Sequence, residues 1–211
     1  MKHPIIRYWE KAYANFKVGE ESYFVPQLID PIISANFGFR SKGPFNLIQN
    51  LDDKIIEKPG YKIRNDFYLG RFKTRDLVIQ EEFKLLSLSE VKEDPKFWDL
   101  MKDGFPETVS FLEVFMDFLP RLEAKFKVAY LLENGAPYAC AVIGIADELA
   151  VLLSTVIKST HRDQLKSRNL EQLIHMVAKK ERVEECFFWT KSEKLTNYAD
   201  HVDRYLIYIE R

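Results

Sequence analysis

Three apolar segments joined by two tight turns, between Lys127 and Ile157, constrain this chain more than anything else in it. Residues 127–132 and 138–146 flank Glu133-Asn134-Gly135. Asn-Gly accepts positive φ at both central positions of a two-residue turn, so the flanking runs read as antiparallel neighbours. Asp147-Glu148 is a second short turn, and 149–157 is a third strand. Continuous apolar stretches such as Val151-Leu152-Leu153 predict burial on both faces. The rest of the chain must therefore supply cover for the centre of a sheet.

That cover is legible on both sides. Ser159-Thr160-His161-Arg162-Asp163 switches the chain from strand to helix, with Thr160 and Asp163 at the spacing of a capping arrangement. Leu170, Leu173, Ile174, Val177 and Ala178 then form one apolar stripe. A buried strand at 186–189, a short helix at 192–200 and a last strand at 205–209 follow. Upstream, 83–88 reads as a strand and 96–101 as a short helix. Gly104-Phe105-Pro106 breaks the chain. Thr108 caps a helix carrying Phe111, Leu112, Val114, Phe115, Phe118 and Leu119, which Pro120 ends or bends. The order β, α, α, β, β, β, α, β, α, β predicts an α/β (α+β) domain over 81–211. Its sheet is mixed, mostly antiparallel and flanked by helices.

Residues 1–80 read as an extension that packs on this domain. Ile5, Ile6, Trp9, Tyr13 and Phe16 fall at roughly helical spacing. Asp30-Pro31, Lys42-Gly43-Pro44 and Lys58-Pro59-Gly60 punctuate a loop-rich, aromatic stretch. Short strands are expected around Tyr61, Phe67 and 77–79. Arg71, Lys73 and Arg75 form a small basic cluster, whose ordinary reading is a solvated strand face.

Lys and Arg total 31 against 32 Asp and Glu, which argues against binding nucleic acid mainly through charge. No run of about 18 apolar residues is present, so no membrane span is expected. The first residues lack the apolar stretch of a secretory signal, and a cytoplasmic protein is expected. Cys140 and Cys186 lie in apolar runs and read as buried small hydrophobes, not as a disulfide or zinc framework. His3, His161, His175 and His201 show no metal-ligand spacing with Cys or a carboxylate. His175 is read as projecting off the apolar stripe.

The order of elements over 83–211, and above all the strand, loop and helix of 152–177, resembles the GNAT (Gcn5-related N-acetyltransferase) superfamily. That family carries an Arg/Gln-x-x-Gly-x-Gly/Ala loop between the strand and the helix. Arg162-Asp163-Gln164-Leu165-Lys166-Ser167 stands there in this sequence. A helix start offers unpaired N–H groups and a positive dipole end, which together hold a diphosphate. Glycine lets the backbone approach the phosphates closely. Leu165 and Ser167 occupy the two glycine positions, so the loop is degenerate. Leu165 crowds the site, Ser167 is a mild change, and Lys166 adds a compensating charge. The alternative reading is a plain capped amphipathic helix between two strands.

The resemblance implies an N-acetyltransferase using acetyl-CoA (with CoA as product) and an amine acceptor, either a small molecule or a peptide. It needs neither nucleic acid nor a membrane. It implies pantetheine contacts from the backbone of Val156 and Ile157 and from Asn197. Tyr198 is the implied proton donor to the departing thiolate, since many family members carry a Tyr in the helix after the fifth strand. Ser154 and Thr155 are the polar residues inside the third central strand, and no general base is evident. The rival expectation is a catalytically silent protein of the same fold that binds or regulates. An acyl-homoserine-lactone synthase fits the length but not the N-terminal residues. The oligomeric state is open, a homodimer being one option.

Overall fold

The computed structural model describes residues 7, 8, 11, 22–23, 45–49, 61–78, 80–104, 106, 116–117, 119–121, 123–146, 148–190 and 193–210. Among them nine strands form one sheet. They are β1 (Ser22–Tyr23), β2 (Phe45–Gln49), β3 (Tyr61–Lys73), β4 (Glu82–Leu86), β5 (Lys125–Glu133), β6 (Ala136–Ala146), β7 (Leu149–Ile157), β8 (Glu185–Thr190) and β9 (His201–Glu210). Their spatial order is β1-β2-β9-β3-β8-β7-β6-β5-β4. The α-helices described along their whole length are α1 (Leu88–Lys92), α2 (Pro95–Gly104) and α3 (Gln164–Lys180).

The β5–β6–β7 meander forms as its turn chemistry requires. Asn134 and Gly135 take φ of 53° and 75°, the doubly left-handed turn that matches strand twist. α3 crosses from β7 to β8, which run parallel, whereas the other strand pairs are antiparallel. Its stripe of Leu170, Leu173, Ile174, Val177 and Ala178 is buried against Ala129, Leu131, Ala139, Ala141, Ile143 and Cys186 of the sheet. Each large side chain buried in this way is worth about 1.5–3 kcal/mol. Both cysteines are free and buried, and loss of solvent pushes their thiols up, Cys186 to about 12.

The sheet draws strands from both sides of residue 80. In place of short strands around Tyr61 and Phe67, one 13-residue strand, β3, inserts between β8 and β9. It pairs with β9 from Tyr61 to Arg71 and with β8 from Tyr68 to Lys73. The strand expected at 77–79 is not formed at Leu77 and Val78. The chain leaves the sheet after Lys73 and re-enters at its far edge as β4, so these residues have no neighbouring strand among the described residues, and Val78 is exposed.

Helix boundaries differ as well. The helix expected at 96–101 is α2, which ends at Gly104, and α1 precedes it with a Ser87/Glu90 capping box. The segment at 192–200 is a 3-10 turn, Glu193–Tyr198. Most of the helix expected after Thr108 lies outside the described residues; Met116 and Asp117 are helical, and Leu119–Arg121 is a 3-10 turn. Arg7, Tyr8 and Lys11 are helical, whereas the apolar positions expected around them lie outside the described residues. Tyr8 is buried, and Gly144 of β6 makes the room it needs: a Cβ there would lie 2.4 Å from the Tyr8 hydroxyl.

Candidate functional site

The site begins with a defect in β7. Val142 of β6 faces Ser154, but its neighbour Ile143 faces Leu152, so Leu153 is an extra residue on β7. Such a bulge bends the strand and raises its twist. The consequence is visible on the other side of β7. It pairs with β8 through Ala150, Val151 and Leu152, opposite Cys186, Phe187 and Phe188, and no further. It keeps β6 as its partner as far as Ile157. The two parallel strands therefore part just past the bulge.

A cavity of about 240 Å³ opens at this parting. β7 contributes Leu152, Thr155 and Ile157, and α3 contributes Leu170, Glu171, Ile174 and His175. Phe72 of β3, Phe188 of β8 and Tyr198 complete it. The lining is apolar apart from Thr155, Glu171, His175 and Tyr198, the pattern of a site that holds a ligand body by contact and orients it with a few polar groups.

The start of α3 lies three residues later than the Thr160/Asp163 spacing predicts. Ser159–His161 is a 3-10 turn, and the N-cap is Asp163, whose carboxylate accepts from the Lys166 amide at 2.7 Å. Gln164, Leu165, Lys166 and Ser167 form the first turn. The Lys166 ammonium is committed elsewhere. It lies 2.9 Å from Glu133 and 3.9 Å from Glu81, and 4.4 Å from the centre of the Tyr138 ring. Its bond to Glu133 raises its pKa. Hydrogen bonds from His161 and Lys166 hold the Glu133 carboxyl down at about 2. His161 also stacks on Tyr138, with ring centroids 5.1 Å apart.

Arg162 turns back toward β7. Its Nε donates to the Ile157 carbonyl at 3.0 Å, and its Nη2 lies 3.9 Å from Asp103. Asp103 also accepts from the Ser159 amide (2.6 Å) and hydroxyl (2.9 Å), bonds that hold its carboxyl below the usual carboxylate range. The structure thus gathers Ile157, Arg162, Asp163 and Lys166 around one end of β7 and α3. Val156 is buried and pairs with Cys140. Asn197 and Tyr198 are exposed on the 3-10 turn after β8, and of the two Tyr198 reaches the cavity.

Among the cavity residues, Phe72, Glu171, His175 and Phe188 were not picked out from sequence as site residues. His175 lies off the apolar stripe yet is 3% exposed, because the cavity side of α3 is covered by β3 and by the linker after it. Its Nδ1 accepts from the Arg75 amide at 3.2 Å, and its ring meets Phe72 edge-on at 4.7 Å. Its Nε2 lies 4.0 Å from Glu171 Oε1. Burial lowers the pKa of His175 and keeps the imidazole neutral. The signal available in the sequence was the Glu171/His175 pair at i, i+4, one helical turn apart. The two arginines of the basic cluster are paired: Arg75 binds Asp200 at 2.6 Å and Arg71 lies 3.9 Å from Glu185. Among the described residues no cluster of His, Cys, Asp and Glu could hold a metal ion, and no helix is long and apolar enough to cross a membrane.

No family model matches the chain, and no curated protein matches its sequence. Solved structures do. The chain is similar to a GNAT-family protein from Novosphingobium aromaticivorans DSM 12444, with a TM-score of 0.58 and 11% identity over 100% of both chains. It is similar to a functionally unknown conserved protein from Staphylococcus epidermidis ATCC 12228, with a TM-score of 0.57 and 8% identity over 92% of this chain and 93% of that one. A tandem GNAT protein from the clavulanic acid biosynthesis pathway matches with a TM-score of 0.50 and 10% identity, over 79% of this chain and 63% of that one. At these identities the likeness establishes the fold: this chain has the mixed, mostly antiparallel sheet and flanking helices of the GNAT acyltransferases.

Proposed function

We propose that this protein is an acyl-CoA-dependent N-acyltransferase acting on an amine. The observation that carries the reading is the parting of β7 from β8 beyond Leu152, which opens an apolar cavity in front of Tyr198. A slot of this shape accepts an extended pantetheine arm between the strand ends, with backbone groups near Val156 and Ile157 and the side chain of Asn197 within its course. The donor supplies an activated acyl thioester. The chain's own residues bind it, exclude water and place a proton. Phe72, Leu152, Ile174 and Phe188 cover the apolar arm. The amides of Gln164, Leu165 and Ser167 and the side chain of Arg162 meet its diphosphate. Tyr198 hands a proton to the sulfur as the thiolate leaves. From the front third of the chain, β3 supplies a wall of the acceptor pocket through Phe72.

The strand ends and cavity fit such a donor better than the helix start does. Of the amides that a helix start leaves without intrahelical partners, the one on Lys166 is taken by Asp163. This carboxylate favours a second reading, a protein that keeps the fold but binds or regulates without transferring an acyl group. Titration with CoA, followed by calorimetry or melting temperature, tests the first reading. Saturating CoA at 100 times Kd adds about 2.7 kcal/mol of stability. Absence of any shift at millimolar CoA removes it. Binding of acetyl-CoA without turnover against a broad amine panel favours the second.

A further inference from the structure

Within the acyl-transfer reading, on which this inference rests, the cavity beside Tyr198 has a single electrical sign. Of its lining residues only Glu171 carries a formal charge, and no Lys or Arg is among them. Arg75, whose amide meets His175, turns its guanidinium to Asp200 at 2.6 Å. His175 lies 4.0 Å from the Glu171 carboxylate but does not cancel its charge, because burial keeps the imidazole neutral. The Glu171 side chain is 40% exposed, which places it at the mouth of the cavity rather than in its floor. Phe72 and Phe188 line the same space, with ring centroids 6.3 Å apart and planes tilted by 40°, and Tyr198 adds a third ring. Aromatic rings attract cations over their faces. Carboxylate and rings therefore act in the same direction: the cavity favours a cation and disfavours an anion. Its volume of about 240 Å³ equals about eight waters at ~30 Å³ each, so any guest is small.

We propose that Glu171 selects the acceptor, a small primary amine whose ammonium meets the Glu171 carboxylate and whose apolar or aromatic stem lies against Phe72 and Phe188. No carboxylate or phosphate stands beside the nitrogen of such an amine. An α-amino acid is a poor guest for the same reason, since its own carboxylate would face Glu171. Because the end of the donor's arm takes part of the same volume, the stem is short. Tyr198 lines this cavity too, so a guest held at Glu171 shares the space in which the thioester sulfur leaves. Glu171 binds and orients the amine; no proton transfer is assigned to it.

The test is calorimetric titration of the full chain, saturated with CoA, with phenethylamine, 2-phenylethanol and phenylalanine. The three probes share one aromatic body and differ in the charge at its end. The wild type should bind the amine about tenfold more tightly than the alcohol or the amino acid, the worth of a part-exposed ion pair together with a cation–ring contact. Glu171→Gln keeps the shape and removes the charge, and should bring the amine and the alcohol to within about threefold of each other. Glu171→Asp keeps a carboxylate and should keep the amine first. A merely structural role for Glu171 would weaken all three probes together and leave their ratios unchanged in Glu171→Gln, which overturns the inference. A wild type that binds the alcohol as tightly as the amine, or binds none of the three, also overturns it, and that readout requires no variant to fold. Titration with CoA alone keeps the two readings apart. CoA binding without a preference for the amine removes this inference only, whereas no CoA binding removes the acyl-transfer reading and this inference with it.

Discussion

Asp163 offers the sharpest perturbation, because its carboxylate caps α3 at the place where a diphosphate would bind. Two substitutions separate the cap from the charge. Asp163→Asn keeps a side-chain oxygen for the Lys166 amide, now 2.7 Å from the carboxylate, and Asn caps as well as Asp. Asp163→Ala removes the bond at a cost of about 1 kcal/mol, which lowers Tm by roughly 2–4 °C for a chain of this size. The charge matters differently. Two unit charges about 4 Å apart in water-like surroundings repel by about 1 kcal/mol. A diphosphate with two charges at such a separation from Asp163 would lose about 2 kcal/mol, more than tenfold in affinity. Asp163→Asn is expected to bind CoA about tenfold more tightly than the wild type at low salt, with Tm changed by less than the Ala variant's drop. The gain should shrink as salt is added. Calorimetric titration with CoA at two salt concentrations, beside melting of the unliganded variants, measures both terms. Equal CoA affinity in the wild type and the Asn variant at low salt would refute the placement of the diphosphate at the start of α3.

Tyr198→Phe should leave folding within about 0.5 kcal/mol, since the side chain is exposed, and leave CoA affinity unchanged. Turnover with an amine that the wild type acetylates should fall by about 10²-fold or more. Gly70→Ala places a Cβ 2.3 Å from Cζ of Phe188, so the ring must shift within the cavity lining. A fold cost of about 1–3 kcal/mol and weaker CoA binding are expected, read by melting and titration. Glu133 is held below the ordinary carboxyl value of 4.5, at about 2, so its contribution to stability is present above that ordinary value and is lost as pH falls toward 2. Glu133→Gln should flatten that stretch of the melting-versus-pH curve, by a small amount because the side chain is half exposed.

Much of the fold was legible because its signals are local. Asn134-Gly135 dictates its own turn through φ, and the spacing of Leu170, Leu173, Ile174 and Val177 dictates a helix and the face it buries. Cys140 and Cys186 lie where apolar runs place them. The start of α3 was displaced because Thr160 and Asp163 are both good caps, and only the 3-10 turn at Ser159–His161 decides between them. The burial of His175 was not legible because the periodicity of α3 shows which residues face the sheet, not that β3 and the Arg75 linker close over its flank.

By itself, then, the sequence determined the meander, the crossover helix with its stripe, and the loop on which the family resemblance rests. These follow from backbone preferences and from hydrophobic spacing within one element. Tertiary structure alone decided that Tyr61–Lys73 threads between β8 and β9, that a bulge at Leu153 parts β7 from β8, and that Phe72, His175 and Tyr198 meet around one cavity. Each of these depends on pairing between residues some twenty to more than a hundred positions apart or on the register of one strand against another, and neither is encoded in the spacing of any single segment.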